Sequence, residues 1–168
     1  PNTVAKSVAA AVRLDVQMLT VHSSGGSAML QAAAKAANET AAQMHKPPPL
    51  VLAVTVLTSL DGQALSELGL DANVARSVRR LAELATRAGI RGLVCSPLEV
   101  AELRQCLPPG TQLVTPGVRA PSSVADDQKR TLTPREAMEA GADWLVIGRP
   151  IYGAPDPRAA AQAILDGI

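Results

Sequence analysis

The sequence predicts a parallel α/β fold of the barrel type, of which it holds five βα units, and three observations carry that reading. Five short apolar runs, at residues 18–22, 50–55, 92–95, 112–115 and 144–147, have the length and β-branched content of buried parallel strands. Helical periodicity fills the spaces between them, and strand followed by helix, repeated, builds a parallel sheet with right-handed crossovers. The third observation is the count. A closed eight-stranded barrel takes about 250 residues, whereas this chain has 168 and opens in a helix with no strand before it. The chain therefore reads as a single domain, residues 1–168, made of the last five units of a (β/α)8 barrel, strands four to eight. It does not begin with Met, and an N-terminal part of the barrel is expected to be missing from it.

Each element has a local reason. The opening helix is expected over residues 3–14, with Asn2 or Thr3 as its N-cap. After the first strand, Met29 and Met44 read as gap-fillers on a helix. The Pro47-Pro48-Pro49 run is a stiff connector into the second strand. Farther on, Val74, Val78, Leu81, Ala85 and Ala88 share one helical face, while Arg76, Arg79, Arg80, Glu83 and Arg87 lie largely outside it; Gly89 stands where that helix should stop. Ser96-Pro97-Leu98-Glu99 and Thr133-Pro134-Arg135-Glu136 both read as capping boxes with proline at the first helical position, and Asp156-Pro157 repeats the cap-plus-proline pattern. Gly141 closes the helix before the last strand. Trp144 and Tyr152 read as packing residues.

Composition narrows the partners. The 16 Lys and Arg against 15 Asp and Glu are dispersed rather than arrayed in a stripe, which argues against nucleic acid. No apolar run reaches the roughly 18 residues of a membrane span, and the start lacks a signal-peptide layout, so the expected compartment is the cytoplasm. Cys95 and Cys106 lack metal-ligand spacing and read as plain packing residues; no His, Cys and carboxylate cluster has the spacing of a metal site. His22, at a strand end, is expected to be hydrogen-bonded beneath a site rather than to be catalytic.

Two stretches carry chemistry. Leu113-Val114-Thr115-Pro116-Gly117-Val118-Arg119 and Trp144-Leu145-Val146-Ile147-Gly148-Arg149-Pro150 are each an apolar strand running into a glycine and an arginine. Either one alone is how many βα turns begin. Together, on the last two strands of a barrel, they have the form of a phosphate grip, because the ligand phosphate sits over the loops that follow those strands. Glycine lets backbone N–H groups approach an anion closely, and a guanidinium supplies a fixed fork of donors. Residues 117–130, rich in Gly, Pro, Ser and Asp and poor in apolar side chains, suit a lid loop over such a phosphate.

Seven blocks in order then resemble one family. They are Pro1-Asn2-Thr3, Val21-His22-Ser23-Ser24-Gly25-Gly26, the stretch Ala53-Val54-Thr55-Val56-Leu57-Thr58-Ser59, Val94-Cys95-Ser96, Val114-Thr115-Pro116-Gly117-Val118-Arg119, Asp127-Gln128-Lys129-Arg130 and Val146-Ile147-Gly148-Arg149-Pro150. The chain resembles orotidine 5'-phosphate decarboxylase of the bacterial type over residues 1–164. The resemblance implies a homodimeric (β/α)8 barrel that converts orotidine 5'-monophosphate (OMP) to UMP and carbon dioxide in pyrimidine biosynthesis, without metal or organic cofactor. It implies substrate-binding roles for Gly148 and Arg149 at the phosphate, for Gln128 in the lid and for Arg119 at its base. Thr58 would face the amide edge of the pyrimidine, Pro116 would line the base pocket, and Thr3 would reach the neighbouring subunit's ribose.

The same resemblance places the chemistry elsewhere. The family's catalytic motif reads Asp-x-Lys-x-x-Asp-Ile-Pro-Asn-Thr, and this chain begins at its Pro. The Asp-Lys-Asp array, whose lysine protonates C6, is therefore expected upstream of Pro1. Lys6, Lys35 and Lys46 match no catalytic lysine, so no catalytic residue is expected within the chain and, on its own, the chain is expected to be inactive. Two alternatives stay open: a sibling phosphate-binding barrel, such as a sugar-phosphate decarboxylase or hexulose-phosphate synthase, and a non-catalytic nucleotide-binding fragment. For Thr3 a plain N-cap is a second reading.

Overall fold

The computed structural model describes residues 1–118 and 131–168. Five parallel strands form one open sheet: β1 (Met18–His22), β2 (Leu50–Val54), β3 (Gly92–Val94), β4 (Gln112–Thr115) and β5 (Trp144–Leu145), hydrogen-bonded in chain order. A doubly wound sheet reverses its strand order at a switch point. This order never reverses, so right-handed crossovers put every connecting helix on one face, as in the wall of a barrel.

The helices are α1 (Asn2–Arg13), α2 (Gly26–Gln43), α3 (Gly62–Glu67), α4 (Val74–Arg87), α5 (Val100–Cys106), α6 (Pro134–Glu139), α7 (Arg149–Tyr152) and α8 (Pro157–Leu165). The core lies between them and the sheet. Val21, Val51, Ala53, Leu93 and Leu113 point from the strands into a layer built by Val8 and Val12 of α1, Leu30 of α2, Val78 of α4 and Leu103 of α5. On α2 the buried positions Ala33, Ala37 and Ala41 recur every four residues, so a stripe of small side chains lets that helix pack closely. The other face of the sheet is uneven. Leu52 and Val54 are buried, whereas Thr20 and His22 on β1, and Trp144 and Val146 at the opposite edge, are exposed. Gly92 sits across from Leu52, and an added Cβ there would come within 2.5 Å of Leu52 Cδ2, so the glycine is what lets Leu52 lie flat.

Several local expectations change. The cap of α1 is Pro1, without a side-chain bond, and Thr3 lies inside the first turn, where its carbonyl accepts from Ser7 Oγ at 3.0 Å; neither Asn2 nor Thr3 is the N-cap. Ser96 does not close a capping box. Its Oγ accepts from Leu98 N, because the chain there makes a tight 3-10 turn, Pro97–Glu99, before α5 begins. The box at Thr133 does form, with Glu136 Oε2 accepting from Thr133 N at 2.8 Å and Oγ1 at 2.7 Å. Those two bonds, the backbone one foremost, hold the Glu136 carboxyl below its ordinary range. Asp156 caps α8 through Ala159 N, Gly89 and Gly141 follow their helices with positive φ, and Cys95 is buried. Trp144, read as packing, is 49% exposed on the edge strand and donates to Gln112 Oε1 at 3.0 Å.

One buried hydroxyl carries a prediction. Ser23, at the end of β1, is 0% exposed, and its Oγ has no hydrogen-bond partner among the described residues. A buried polar group without a partner keeps its desolvation cost. Ser23→Ala is expected to raise stability by about 1 kcal/mol, read as a higher urea midpoint at unchanged slope; a lower midpoint would show that the hydroxyl is satisfied.

Candidate functional site

Strand ends assemble the site. Past Thr115, the chain turns at Pro116 and at Gly117, whose φ of +77° is a left-handed conformation that glycine adopts without strain. Val118 then pairs with Leu132 in a parallel bridge, so the two ends of the intervening segment lie side by side. Alongside, Val146 N donates to Thr115 O at 2.9 Å, which carries the β4–β5 pairing beyond the strand and sets Gly148 beside the Pro116-Gly117 turn. The chain enters α7 directly after Gly148, whose carbonyl accepts from Ile151 N at 2.8 Å and Tyr152 N at 3.1 Å.

The two glycine-bearing stretches thereby become two walls of one cleft of about 180 Å³. Pro116, Gly117 and Val118 form one wall, and Val146, Gly148, Arg149, Pro150 and Tyr152 the other. Among the described residues Arg149 is the one ionised side chain in that lining, and it is exposed. A guanidinium beside two bare glycine backbones, with no carboxylate among the described lining residues, favours a small polyanion. Among the described residues no group of His, Cys, Asp and Glu could hold a metal ion.

The other expected binding residues sit on the same face but outside this cleft. Thr55 fixes the end of β2 by donating its N–H and Oγ1 to Val94 O, at 3.1 and 2.8 Å. A turn closed by Leu60 N on Leu57 O at 2.9 Å follows and holds Thr58, only 8% exposed. Asp61 then caps α3, accepting from Ala64 N at 3.0 Å. Thr3 is exposed at the start of α1, at the far edge beyond β1. Its neighbours Val4 and Ser7 line a groove with Thr20, His22 and Gly25. His22 is exposed in that groove, not buried beneath a site. Arg119 and Gln128, and all of the expected lid except Gly117 and Val118, lie outside the described residues.

Of the expected binding residues, Pro116, Gly148 and Arg149 come together in this cleft; Val118 and Val146 belong to the same two stretches, and Tyr152, read as a packing residue, joins them. A signal for Tyr152 was present: it stands four residues after Gly148, and in a helix that spacing brings the side chain back over the earlier residue.

Comparison with known proteins agrees with this geometry. The Orotidine 5'-phosphate decarboxylase / HUMPS family matches residues 1–164. The orotidine 5'-phosphate decarboxylase of Opitutus terrae is 54% identical over 165 residues, covering 98% of this chain and 70% of that protein. The enzyme of the same name from Moorella thermoacetica is 54% identical over 165 residues, covering 98% and 66%. Among solved structures, orotidine 5'-phosphate decarboxylase from Lactobacillus acidophilus superposes with a TM-score of 0.82 at 36% identity, covering 99% of this chain and 69% of the other. The chain thus spans about 70% of the length of such relatives, and its parallel sheet has the barrel-type α/β fold of that structure. The chain belongs to the orotidine 5'-phosphate decarboxylase / HUMPS family.

Proposed function

We propose that the protein acts as an orotidine 5'-monophosphate decarboxylase, forming UMP and carbon dioxide in the cytoplasm, and that residues 1–168 supply its substrate-holding part. In this reading the five strands are the last five of an eight-stranded barrel. The observation that carries it is the convergence of the β4 and β5 ends on one cleft with Arg149 at its mouth. Gly148 and Arg149 hold the phosphate there, and Pro116 lines the adjoining base pocket. Thr58 meets the pyrimidine from β2. Since strands are spaced by about 4.8 Å, β2 and β4 stand roughly 10 Å apart. A nucleotide, with a ribose between base and phosphate, has groups at both ends of that span; a sugar phosphate has no base to present to Thr58. Arg119 and Gln128 join the phosphate side of the site on the family pattern, and Thr3 serves the neighbouring subunit of a homodimer.

Ligand-dependent stabilisation separates the readings. UMP or its 6-aza analogue is expected to raise the melting temperature more than ribulose 5-phosphate at equal concentration, since a ligand that binds only the folded state stabilises it by mass action. The reverse order would favour a sugar-phosphate sibling and overturn the assignment. Arg149→Lys exchanges a planar fork for a point charge, and the expected cost is about tenfold in UMP affinity. Calorimetric titration would show it, and unchanged affinity would remove Arg149 from the site.

A further inference from the structure

We propose that Tyr152 is a positioning residue of the anion cleft: its ring, seated over the bare backbone of Gly148, sets the width of the cleft and holds the Gly148–Arg149 backbone in place. The inference rests on the reading of Gly148 and Arg149 as the phosphate grip. Helical side chains tilt toward the N-terminus of their helix, so a residue covers the turn before its own Cα. Tyr152, whose N–H donates to Gly148 O at 3.1 Å, accordingly lies over residue 148. A Cβ placed on Gly148 would come within 3.2 Å of Tyr152 Cε1 and 3.9 Å of Cδ1. The missing methyl of Gly148 and the ring of Tyr152 are two halves of one fit.

The ring is 70% exposed, so core packing is not what holds it here. It stands instead on the wall of the cleft, beside Arg149 and Pro150 and opposite Pro116 and Gly117. Backbone bonds from Ile151 N and Tyr152 N to Gly148 O and from Gly153 N to Arg149 O close the four-residue α7, and the ring adds an apolar contact over its first turn. Removing the ring takes away the side-chain contact over Gly148, and the Gly148–Arg149 backbone is then expected to shift within its hydrogen-bonded turn. Adding a methyl at Gly148 pushes the ring aside and widens the cleft by another route. Both changes act on one contact, so their effects should not accumulate.

A double-mutant cycle in the intact protein tests this, with calorimetric titration of UMP and of inorganic phosphate. Tyr152→Phe is expected to bind both within about twofold of the wild type, because the ring and not the hydroxyl does the positioning. Tyr152→Ala and Gly148→Ala are each expected to weaken both ligands about tenfold. The double variant should be no weaker than Tyr152→Ala alone, since the new methyl then meets no ring. The melting temperature of Tyr152→Ala should match the wild type, as an exposed ring contributes little to the core. Wild-type affinity in Tyr152→Ala, a loss in Tyr152→Phe equal to that in Tyr152→Ala, or multiplying losses in the double variant would each overturn the proposal. If the wild type binds neither UMP nor phosphate, the reading of the cleft falls, and the inference with it.

Discussion

Arg104→Met is expected to lower the stability of the folded chain by about 2–4 kcal/mol while leaving UMP affinity unchanged. Arg104 projects from α5 into the opposite end of the sheet from the cleft. Its Nε and Nη2 donate to Gly141 O at 2.8 and 2.7 Å, its Nη1 donates to Thr111 O at 2.6 Å, and its Nη2 also pairs with Asp143. The same Asp143 carboxylate accepts from Leu113 N at 2.6 Å. One guanidinium thus ties the residues that lead into β4 to those that lead into β5. Without it, two carbonyls and a carboxylate, in a pair whose side chains are only 31% exposed, lose their donor together. Bonds of this charge-assisted kind contribute about 1.5–3 kcal/mol each, and partial access to water reduces the sum. Methionine keeps most of the apolar stem, so the loss reads the head group. In a barrel the N-terminal face serves stability and the C-terminal face chemistry, which is why binding should survive. Chemical denaturation with a UMP titration on the same variant checks both halves. A variant as stable as the wild type, or one that loses affinity without losing stability, would refute this division of labour.

That clamp also shows where sequence reading stops. The five strands were legible because each is a short, mainly apolar run that stands out against polar turns, even where one face is exposed, as at Thr20 and His22. The Thr133 box was legible because cap and partner are three residues apart. Arg104 and Asp143 are 39 apart, and nothing local distinguishes Arg104 from the solvent-facing arginines of α4. The short helix α3 went unseen for a related reason: six residues give too little periodicity, although Asp61 caps it. Ser96 and Glu99 had the right spacing for a box, but burial of Glu99, only 7% exposed, and the tight Pro97–Glu99 turn give Ser96 a different partner. At the site, the glycines were legible as chemistry. The pairing of Val146 with Thr115 that makes one cleft of two stretches is a tertiary fact.

A polypeptide confined to residues 1–168 is expected to be stabilised by UMP and yet to release no carbon dioxide from orotidine 5'-monophosphate. Decarboxylation leaves electron density at C6 that a proton must meet, and a positioned acid is worth about 10²–10⁴ in rate on its own. The described lysines are committed elsewhere: Lys6 is exposed on α1, Lys35 pairs with Glu39 at 3.8 Å on α2, and Lys46 pairs with Asp15 at 2.7 Å where α2 runs into β2. Carboxylates are no better placed. Asp143 belongs to the Arg104 clamp, while Asp61 and Asp156 cap helices. Among the described residues no lysine, aspartate or glutamate lines the β4–β5 cleft, so there an ion meets a cation and backbone amides. Binding and chemistry should therefore separate in one sample. A rise in melting temperature with UMP establishes that the polypeptide is folded and its cleft occupied, and headspace or coupled detection of carbon dioxide then reads turnover. Turnover in that sample would mean that a proton donor lies within these residues and that the division between a holding part and a reacting part is wrong.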